Sequence, residues 1–248
     1  MSKNMQALLR WYQDNGCEYL FEESPSATLS DSASNIQIIT PSNKINSDAY
    51  ESTTIADNCN DLSSLVEAIK NFNGCEIKKS ANSTVISDGD PKAKVMLIGE
   101  APGANEDKEG IPFCGQSGKL LNNIIKSIGL NRGEVYITNT VFWRPPGNRR
   151  PTPNEISLCR PFVEKHISLI NPELIILVGS TAVESLLSID TPITSMRQKL
   201  FEYHNKYMNK SIPCVVIYHP SYLLRQPYKK KEMWYDMQYI KHTFLTQK

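Results

Sequence analysis

The strongest constraint on the fold is a regular alternation of short apolar strands and amphipathic helices between residues 95 and 218. The strand-like segments are VMLIG (95–99), VYITNTV (135–141), LIILVG (174–179) and CVVIY (214–218). Helical patterns separate them at residues 117–128, 153–170 and 180–187. Strands this apolar are buried on both faces, which is typical of a parallel sheet covered by helices. We therefore predict an α/β fold with three layers, α/β/α, around a central, mostly parallel four-stranded sheet.

Composition divides the chain into three parts. Residues 1–23 contain an amphipathic helix, predicted over 3–15, with Met5, Leu8, Leu9 and Tyr12 at helical spacing. Residues 24–60 are rich in Ser, Thr, Asn and Asp, and we predict a low-complexity, disordered linker. Residues 61–248 form the main domain, which opens with a helix near 62–72.

Several classes of protein are disfavoured by composition. No apolar run reaches the roughly 18 to 20 residues that span a bilayer, and the N-terminus lacks a signal-peptide pattern. We expect a cytoplasmic protein without a membrane anchor. The 6 cysteines include no C-x-x-C pair, so neither a disulfide framework nor a zinc site is evident. The net charge of +1 hides an acidic N-terminal part and a basic body, which permits a polyanionic partner.

The unusual residues of the chain follow the ends of the predicted strands. These segments are GEAPG, TVFWRPPGNRR, GST and HPSYLLR, and in a parallel sheet such loops meet at one edge. A phosphate-binding Walker loop is excluded because Gly118-Lys119 is followed by Leu120, and no G-x-G-x-x-G dinucleotide fingerprint follows the first strand. The residues at this edge instead favour a nucleic-acid ligand. An aromatic ring, an amide and an imidazole can bind a nucleobase, and nearby arginines can bind phosphates.

Four ordered motifs resemble those of family 4 uracil-DNA glycosylases. They are GEAPG (99–103), IPFCGQSG (111–118), ITNTVFWRPPGNR (137–149) and HPSYLLR (219–225), and the similarity covers about residues 73–247. The resemblance implies a uracil-DNA glycosylase-like catalytic domain over residues 61–248. It also implies hydrolysis of the N-glycosidic bond of deoxyuridine in DNA, which releases uracil and leaves an abasic site for base excision repair.

The resemblance also implies roles for individual residues. Phe113 would stack on the flipped base, and Asn139 would read the uracil edge, with Gly99 and Ala101 beside them. His219 would donate to uracil O2 as negative charge develops. Each polar residue has a structural alternative: Asn139 as a strand-end residue bonded to backbone, and His219 as a structural histidine before proline.

Two further residues would act on the attacking water. Glu100 is either the general base or only a brace for its loop, and Asn148 is a second candidate for orienting the water. The expected DNA contacts combine phosphate binding with a wedge, Leu223, that fills the gap left by the extruded nucleotide; Leu224 is the alternative wedge. The contacts expected beside the wedge are Arg144, Arg149, Ser221 and Arg225.

The sequence departs from the family at its cofactor. Family 4 enzymes typically hold a 4Fe–4S cluster on four cysteines, but here the corresponding positions carry Phe72, Cys75, Trp143 and Cys159. Two thiolates do not hold a cluster that takes four. We therefore expect no cofactor and no metal, with Phe72 and Trp143 packed as an aromatic plug in the space of the cluster.

The sequence is compatible with more than one type of activity and with different roles of the N-terminal region. The resemblance implies that relatives that trap the abasic sugar covalently carry a histidine in the arginine-rich segment after the R-P-P loop. No histidine lies between Arg149 and Cys159 here, so a monofunctional hydrolase is favoured. The main alternative is a non-catalytic uracil-DNA binder or repair-accessory module. We expect a monomer whose N-terminal helix docks on a repair or replication protein, with simple disorder of that region as the alternative.

Overall fold

The computed structural model describes residues 6, 10, 11, 37–38 and 47–245 of the 248-residue chain. The strands in this part are Gln37–Ile38 (β1), Ser87–Gly89 (β2), Val95–Gly99 (β3), Tyr136–Asn139 (β4), Leu174–Val178 (β5), Phe201–Tyr203 (β6) and Ile212–Ile217 (β7). The α-helices are Ser47–Asp57 (α1), Leu62–Asn71 (α2), Ala104–Glu109 (α3), Gln116–Lys126 (α4), Pro153–Ile170 (α5), Ser180–Leu187 (α6), Pro220–Arg225 (α7) and Lys230–Ile240 (α8).

The strands form one mixed sheet in the order β1-β6-β7-β5-β3-β4-β2. The four predicted strands are its parallel centre, β7-β5-β3-β4. The prediction of four strands in total is wrong, because the sheet has three more strands. β2 pairs antiparallel with β4, β6 pairs antiparallel with β7, and β1 pairs in parallel with β6. These added strands have only two or three residues each, too few for hydrophobic periodicity to reveal them.

The two faces of the sheet carry separate cores, which confirms the three layers. Alternate side chains of one strand point to opposite faces. In β3, Met96 and Ile98 join the core formed with α2, α5 and α6, whereas Val95 and Leu97 join the core formed with α4 and α8. All four side chains are at most 4% exposed. The continuous apolar strands of the sequence are therefore explained by burial on both sides.

The predicted helix boundary at residue 152 is confirmed in detail. The Thr152 hydroxyl accepts a hydrogen bond from the Glu155 backbone N–H, the Glu155 carboxylate accepts from the Thr152 backbone N–H, and Pro153 is the first helical residue. This reciprocal capping satisfies two backbone groups that a helix terminus leaves unpaired. It fixes the point at which the arginine-rich loop ends and α5 begins.

The predicted disordered linker needs a correction. Residues Ser47–Asp57 form α1, which packs against α5 and buries Ser52 and Ala56 completely. The folded body therefore begins by residue 47 rather than at 61. This helix buries small residues instead of large apolar ones, so its sequence resembles that of a polar linker. The remaining residues of the predicted linker, 24–36 and 39–46, lie outside the described residues.

The predicted N-terminal helix is described at three residues only. Residues 6, 10 and 11 are helical, and Trp11 is 4% exposed with its ring centroid 5.8 Å from that of Trp234 on α8. Trp11 therefore packs against α8 of the same chain. The rest of the predicted helix lies outside the described residues. None of the described helices is long and apolar enough to cross a membrane.

Candidate active site

A cavity of about 750 Å³ opens at the carboxyl edge of the four central strands. The strand ends are adjacent because Gly99 pairs with Asn139 and Val178 pairs with Ile217, so the segments that follow them converge. The lining contains most of the predicted site residues: Glu100, Ala101, Phe113, Asn139, Asn148, Arg149, His219, Ser221 and Arg225. The remaining three predicted residues, Gly99, Arg144 and Leu223, support the lining in different ways.

Gly99 forms the floor beneath the expected base-binding residues. A Cβ atom added there would lie 2.4 Å from the Phe113 ring and 2.5 Å from Oδ1 of Asn139. Asn139 is 2% exposed at the end of β4 yet lines the cavity. No hydrogen bond to the described backbone engages its side-chain amide. The structural alternative for Asn139 therefore has no support, and its amide is available to a ligand.

Phe113 sits at the apex of a strained turn. Its φ is +49°, in the left-handed region that costs a non-glycine residue about 1 kcal/mol or more. Its carbonyl approaches Gly118 so closely that a Cβ there would lie 1.7 Å from the oxygen, which explains the glycine. Arg132 holds the turn by donating to the carbonyls of Pro112 and Phe113 at 2.6 and 3.0 Å. The ring is thus fixed by contacts distant in sequence.

Glu106 is a structural residue of the site that the sequence reasoning missed. Its carboxylate accepts hydrogen bonds from the backbone N–H groups of Gly103, Cys114 and Gly115, at 3.1, 2.9 and 2.8 Å. One side chain therefore joins the GEAPG loop to the segment that carries Phe113. The acidic residue three positions into α3 was the available signal, since a carboxylate at that position commonly caps a helix.

His219 is held with a defined tautomer. Its Nδ1 caps the N-terminus of α7 by accepting the Ser221 backbone N–H at 3.2 Å, and it lies 2.7 Å from the Ser221 hydroxyl. Burial and then the charge of Arg225 lower the pKa of His219 to about 4. The ring is therefore neutral at neutral pH, and with Nδ1 accepting, its proton resides on Nε2. Its centroid lies 5.6 Å from that of Phe113.

Glu100 lies in the cavity wall and is braced from two sides. Its carbonyl accepts from the Thr140 hydroxyl at 2.7 Å and from the Val141 backbone N–H at 3.1 Å. Its carboxylate accepts the Thr181 hydroxyl at 2.5 Å through Oε2. The loop is therefore secured through the main chain, and the carboxylate has a separate partner of its own.

The arginine-rich loop is tied to the helices below it. Arg149 forms a two-point ion pair with Glu155 at 2.8 and 2.6 Å, and this hydrogen-bonded pair lowers the pKa of Glu155. Arg144 donates from Nε to Oδ1 of Asn148 at 2.7 Å. Asn148 therefore presents its NH₂ group, a donor that cannot accept a proton from water. This donor is consistent with the expected role of Asn148, which is to orient water rather than to deprotonate it.

The predicted wedge needs a correction. Leu223 is 0% exposed and belongs to the core with α4 and α8, so it is not available to enter DNA. Leu224, the alternative, is 44% exposed on the same short helix. The two leucines are adjacent in sequence and point in different directions around the helix, and only the packing distinguishes them.

The strand end that precedes His219 is anchored by Arg197, a residue that the sequence did not reveal. Arg197 donates to both carboxylate oxygens of Asp236 at 2.6 and 2.9 Å and to the Tyr218 hydroxyl at 2.9 Å. Its guanidinium also lies 4.3 Å from the centroid of the Tyr218 ring. Tyr218 lines the cavity immediately before His219. Nothing in the sequence around Arg197 signals this contact.

The positions of the family's cluster ligands contain packed aromatic side chains. Phe72 and Trp143 are 2% and 1% exposed with ring centroids 6.5 Å apart, and Phe162 packs on Phe72 at 5.2 Å. Cys75 and Cys159 are both 0% exposed; a hydrogen bond from Cys159 lowers the pKa of Cys75, whereas burial raises that of Cys159. Within the described residues, no group of three His, Cys, Asp or Glu side chains is placed to hold a metal ion. These residues do not fit a four-thiolate cluster.

Comparison with known proteins places this site in a family. The model of the Uracil DNA glycosylase superfamily matches residues 86–238. A type-4 uracil-DNA glycosylase of Sulfurisphaera tokodaii is 38% identical over 192 residues, which cover 75% of this chain and 86% of that protein. The type-4 enzymes of Archaeoglobus fulgidus and Pyrobaculum aerophilum are 34% and 35% identical, over 72% and 71% of this chain and 91% of each relative. The chain therefore belongs to the uracil-DNA glycosylase superfamily.

Proposed function

We propose that this protein excises uracil from DNA by hydrolysing the N-glycosidic bond of deoxyuridine. The observation that carries the proposal is the convergence of Phe113, Asn139 and His219 on one cavity at the carboxyl edge of the sheet. An aromatic face, a side-chain amide and a neutral imidazole N–H match the three recognition features of a pyrimidine: a flat ring, a donor–acceptor edge and a carbonyl oxygen. The type-4 enzymes named above support the same activity.

The chemistry follows from the state of His219. When the C1′–N1 bond breaks, its electron pair leaves with uracil, and negative charge develops on N1 and O2. A neutral imidazole donates a hydrogen bond from Nε2 to O2 without giving up its proton, and this stabilises the developing charge in a site shielded from water. The low pKa of the ring therefore suits the role of a hydrogen-bond donor.

Glu100 completes the hydrolysis. Its carboxylate accepts a proton as water adds to C1′, and the departing uracil anion takes up a proton on N1, so the products are free uracil and an abasic sugar. Asn148 supplies an NH₂ donor on the other side of the cavity and helps to orient the water. Glu100 is thus proposed as the base rather than only as a brace.

The DNA interface is proposed on the edge formed by α7 and the arginine-rich loop. Leu224 is the exposed apolar residue that would fill the space of the extruded nucleotide. Arg144 and Arg225 would contact phosphates on either side, whereas Arg149 is mainly occupied by Glu155, and the Ser221 backbone N–H and hydroxyl both face Nδ1 of His219. The protein is proposed to act as a monomer, and the N-terminal segment as a docking element for a repair protein.

The cofactor of the type-4 family is proposed to be replaced by packing. The Phe72, Trp143 and Phe162 rings bury apolar surface where a cluster would cross-link the same segments, and Trp143 Nε1 donates to the Thr84 hydroxyl at 3.0 Å. The test is iron and sulfide content together with visible absorbance of protein purified without oxygen. Stoichiometric iron lost on replacing Cys75 and Cys159 would contradict this proposal.

The proposed activity is tested on a labelled oligonucleotide that contains a single uracil. Alkali-labile breaks at that position are expected for the wild type, and a decrease of at least about a hundredfold for Asn139→Ala and His219→Ala, since each removes a contact made to the reacting base. Binding without breaks would instead favour the non-catalytic uracil-DNA binder. A cytosine oligonucleotide of the same sequence controls for nuclease contamination.

A further inference from the structure

We propose that Thr181 is a positioning residue that orients the Glu100 carboxylate for activation of water. Thr181 is the second residue of α6, is 1% exposed, and donates its hydroxyl to Oε2 of Glu100 at 2.5 Å. It lies 81 positions away in sequence, and no motif of the family resemblance includes it. This inference rests on the proposed function, because it assigns a helper to a residue of that mechanism.

The carboxylate needs such a partner because the main chain does not fix it. The Glu100 carbonyl is held by Thr140 and Val141, but three rotatable bonds separate the backbone from the carboxylate. A glutamate side chain loses rotamer entropy when it is ordered. Thr181 is well suited to impose that order, since a β-branched side chain in a helix has few rotamers of its own.

The contact also leaves the carboxylate competent to accept a proton. The hydroxyl occupies Oε2 alone, so Oε1 remains for water at the cavity wall. Arg150 is a cation near Glu100. Its guanidinium forms an ion pair at 2.6 Å with Glu184, which lies on α6 like Thr181. A salt bridge from Arg150 would otherwise compete with the Thr181 hydroxyl for the Glu100 carboxylate. The helix α6 therefore supplies an orienting hydroxyl and keeps the arginine occupied.

The test compares Thr181→Val, which keeps the shape and removes the hydroxyl, with Thr181→Ser, which keeps the hydroxyl. Single-turnover excision, with enzyme in excess over the uracil oligonucleotide, is expected to be at least about tenfold slower in Thr181→Val, because a hydrogen bond to a charged group is lost. Thr181→Ser should restore the rate to within about threefold. Affinity for the oligonucleotide should stay unchanged, since Thr181 does not line the cavity.

Ser185→Ala is the matched control. Ser185 is 3% exposed one turn later on α6, and its hydroxyl has no hydrogen-bond partner within the described part of the chain. Loss of this hydroxyl should leave the excision rate unchanged. If valine prevents folding, Thr181→Ala replaces it in the series.

A double-mutant cycle with Glu100→Gln separates positioning from general damage. If Thr181 acts through Glu100, adding Thr181→Val to Glu100→Gln should slow the reaction by less than about twofold. A wild-type rate in Thr181→Val, or the same tenfold loss in both backgrounds, would overturn the inference while leaving the glycosylase activity intact. Absence of excision by the wild type would overturn both the proposed function and this role.

Discussion

Gly99→Ala is the substitution that most directly tests the geometry of the proposed base pocket. Gly99 ends β3 with an extended backbone that alanine adopts equally well, so the effect of the change is steric. The new methyl group would lie 2.4 Å from the Phe113 ring and 2.5 Å from Oδ1 of Asn139. Both neighbours are proposed to bind uracil, and both would have to move together.

The displacement sets the expected magnitude. Ordinary contacts of a Cβ atom begin at 3.4 Å, so each neighbour must retreat by about 1 Å. Misplacement of binding groups by about 1 Å costs about a hundredfold in rate, or close to 3 kcal/mol of barrier. The added methyl group also overpacks a filled core, which typically destabilises a domain by about 1 to 3 kcal/mol. We therefore expect a folded protein with a large catalytic defect.

The assay is single-turnover excision on a uracil oligonucleotide, measured beside urea unfolding of the same preparations. Gly133→Ala is the matched control, because a Cβ there meets no atom within 4 Å and its φ is not positive. The control should keep the wild-type rate and stability. A Gly99→Ala rate within about threefold of wild type would refute the reasoning, since the Phe113 and Asn139 positions would then not determine the rate.

Three further predictions follow from the burial of individual residues. Leu224→Ala should slow excision from double-stranded DNA about tenfold and from single strands much less. Leu223→Ala should instead lower the free energy of unfolding by about 2–5 kcal/mol. Equal behaviour of the two variants in both measurements would contradict the assignment of Leu224 as the wedge. Burial lowers the pKa of His166 and of His219 to about 4, below the value near 6.5 in the unfolded chain. Between these two pH values the unfolded chain binds more protons than the folded protein. The free energy of unfolding should therefore fall as the pH decreases from about 6.5 to 4. Urea unfolding across this range checks it, and a stability that stays constant or rises would contradict it. Phe72→Ala should lower the free energy of unfolding by about 3–5 kcal/mol, because it removes a buried ring that packs on Trp143. A decrease of less than about 1 kcal/mol would show that the aromatic plug does not stabilise the fold.

Local chemistry explains why much of the site was predictable. Asn139 and His219 follow apolar strands, and the carboxyl ends of parallel strands meet at one edge regardless of which helices cover them. The capping box at Thr152 was readable for the same reason, since it depends on residues three positions apart. The structure therefore confirms the position of Asn139 and His219 at the sheet edge and the helix cap, while the roles of these two residues stay predictions.

The two main errors have a common cause. The choice between Leu223 and Leu224 depends on which side of a six-residue helix faces the core, and a helix this short has no periodicity to show it. The helix α1 was assigned to a linker because it buries small residues against α5 rather than large apolar ones. In both cases the neighbouring element decides the outcome.

The sequence by itself determined the parallel centre of the sheet, the edge at which the candidate site lies and the residue types proposed to recognise a base. Tertiary structure alone decided which side chains hold that site in place. Glu106 joins two loops, Arg132 holds the Phe113 turn, and Thr181 binds Glu100 from 81 positions away. These contacts are hydrogen bonds between segments that the fold brings together; a local pattern can indicate the helix cap formed by Glu106 but not its bonds to the Phe113 segment or the other two pairings. The motifs thus specify the groups proposed to meet the substrate, and packing specifies their positions.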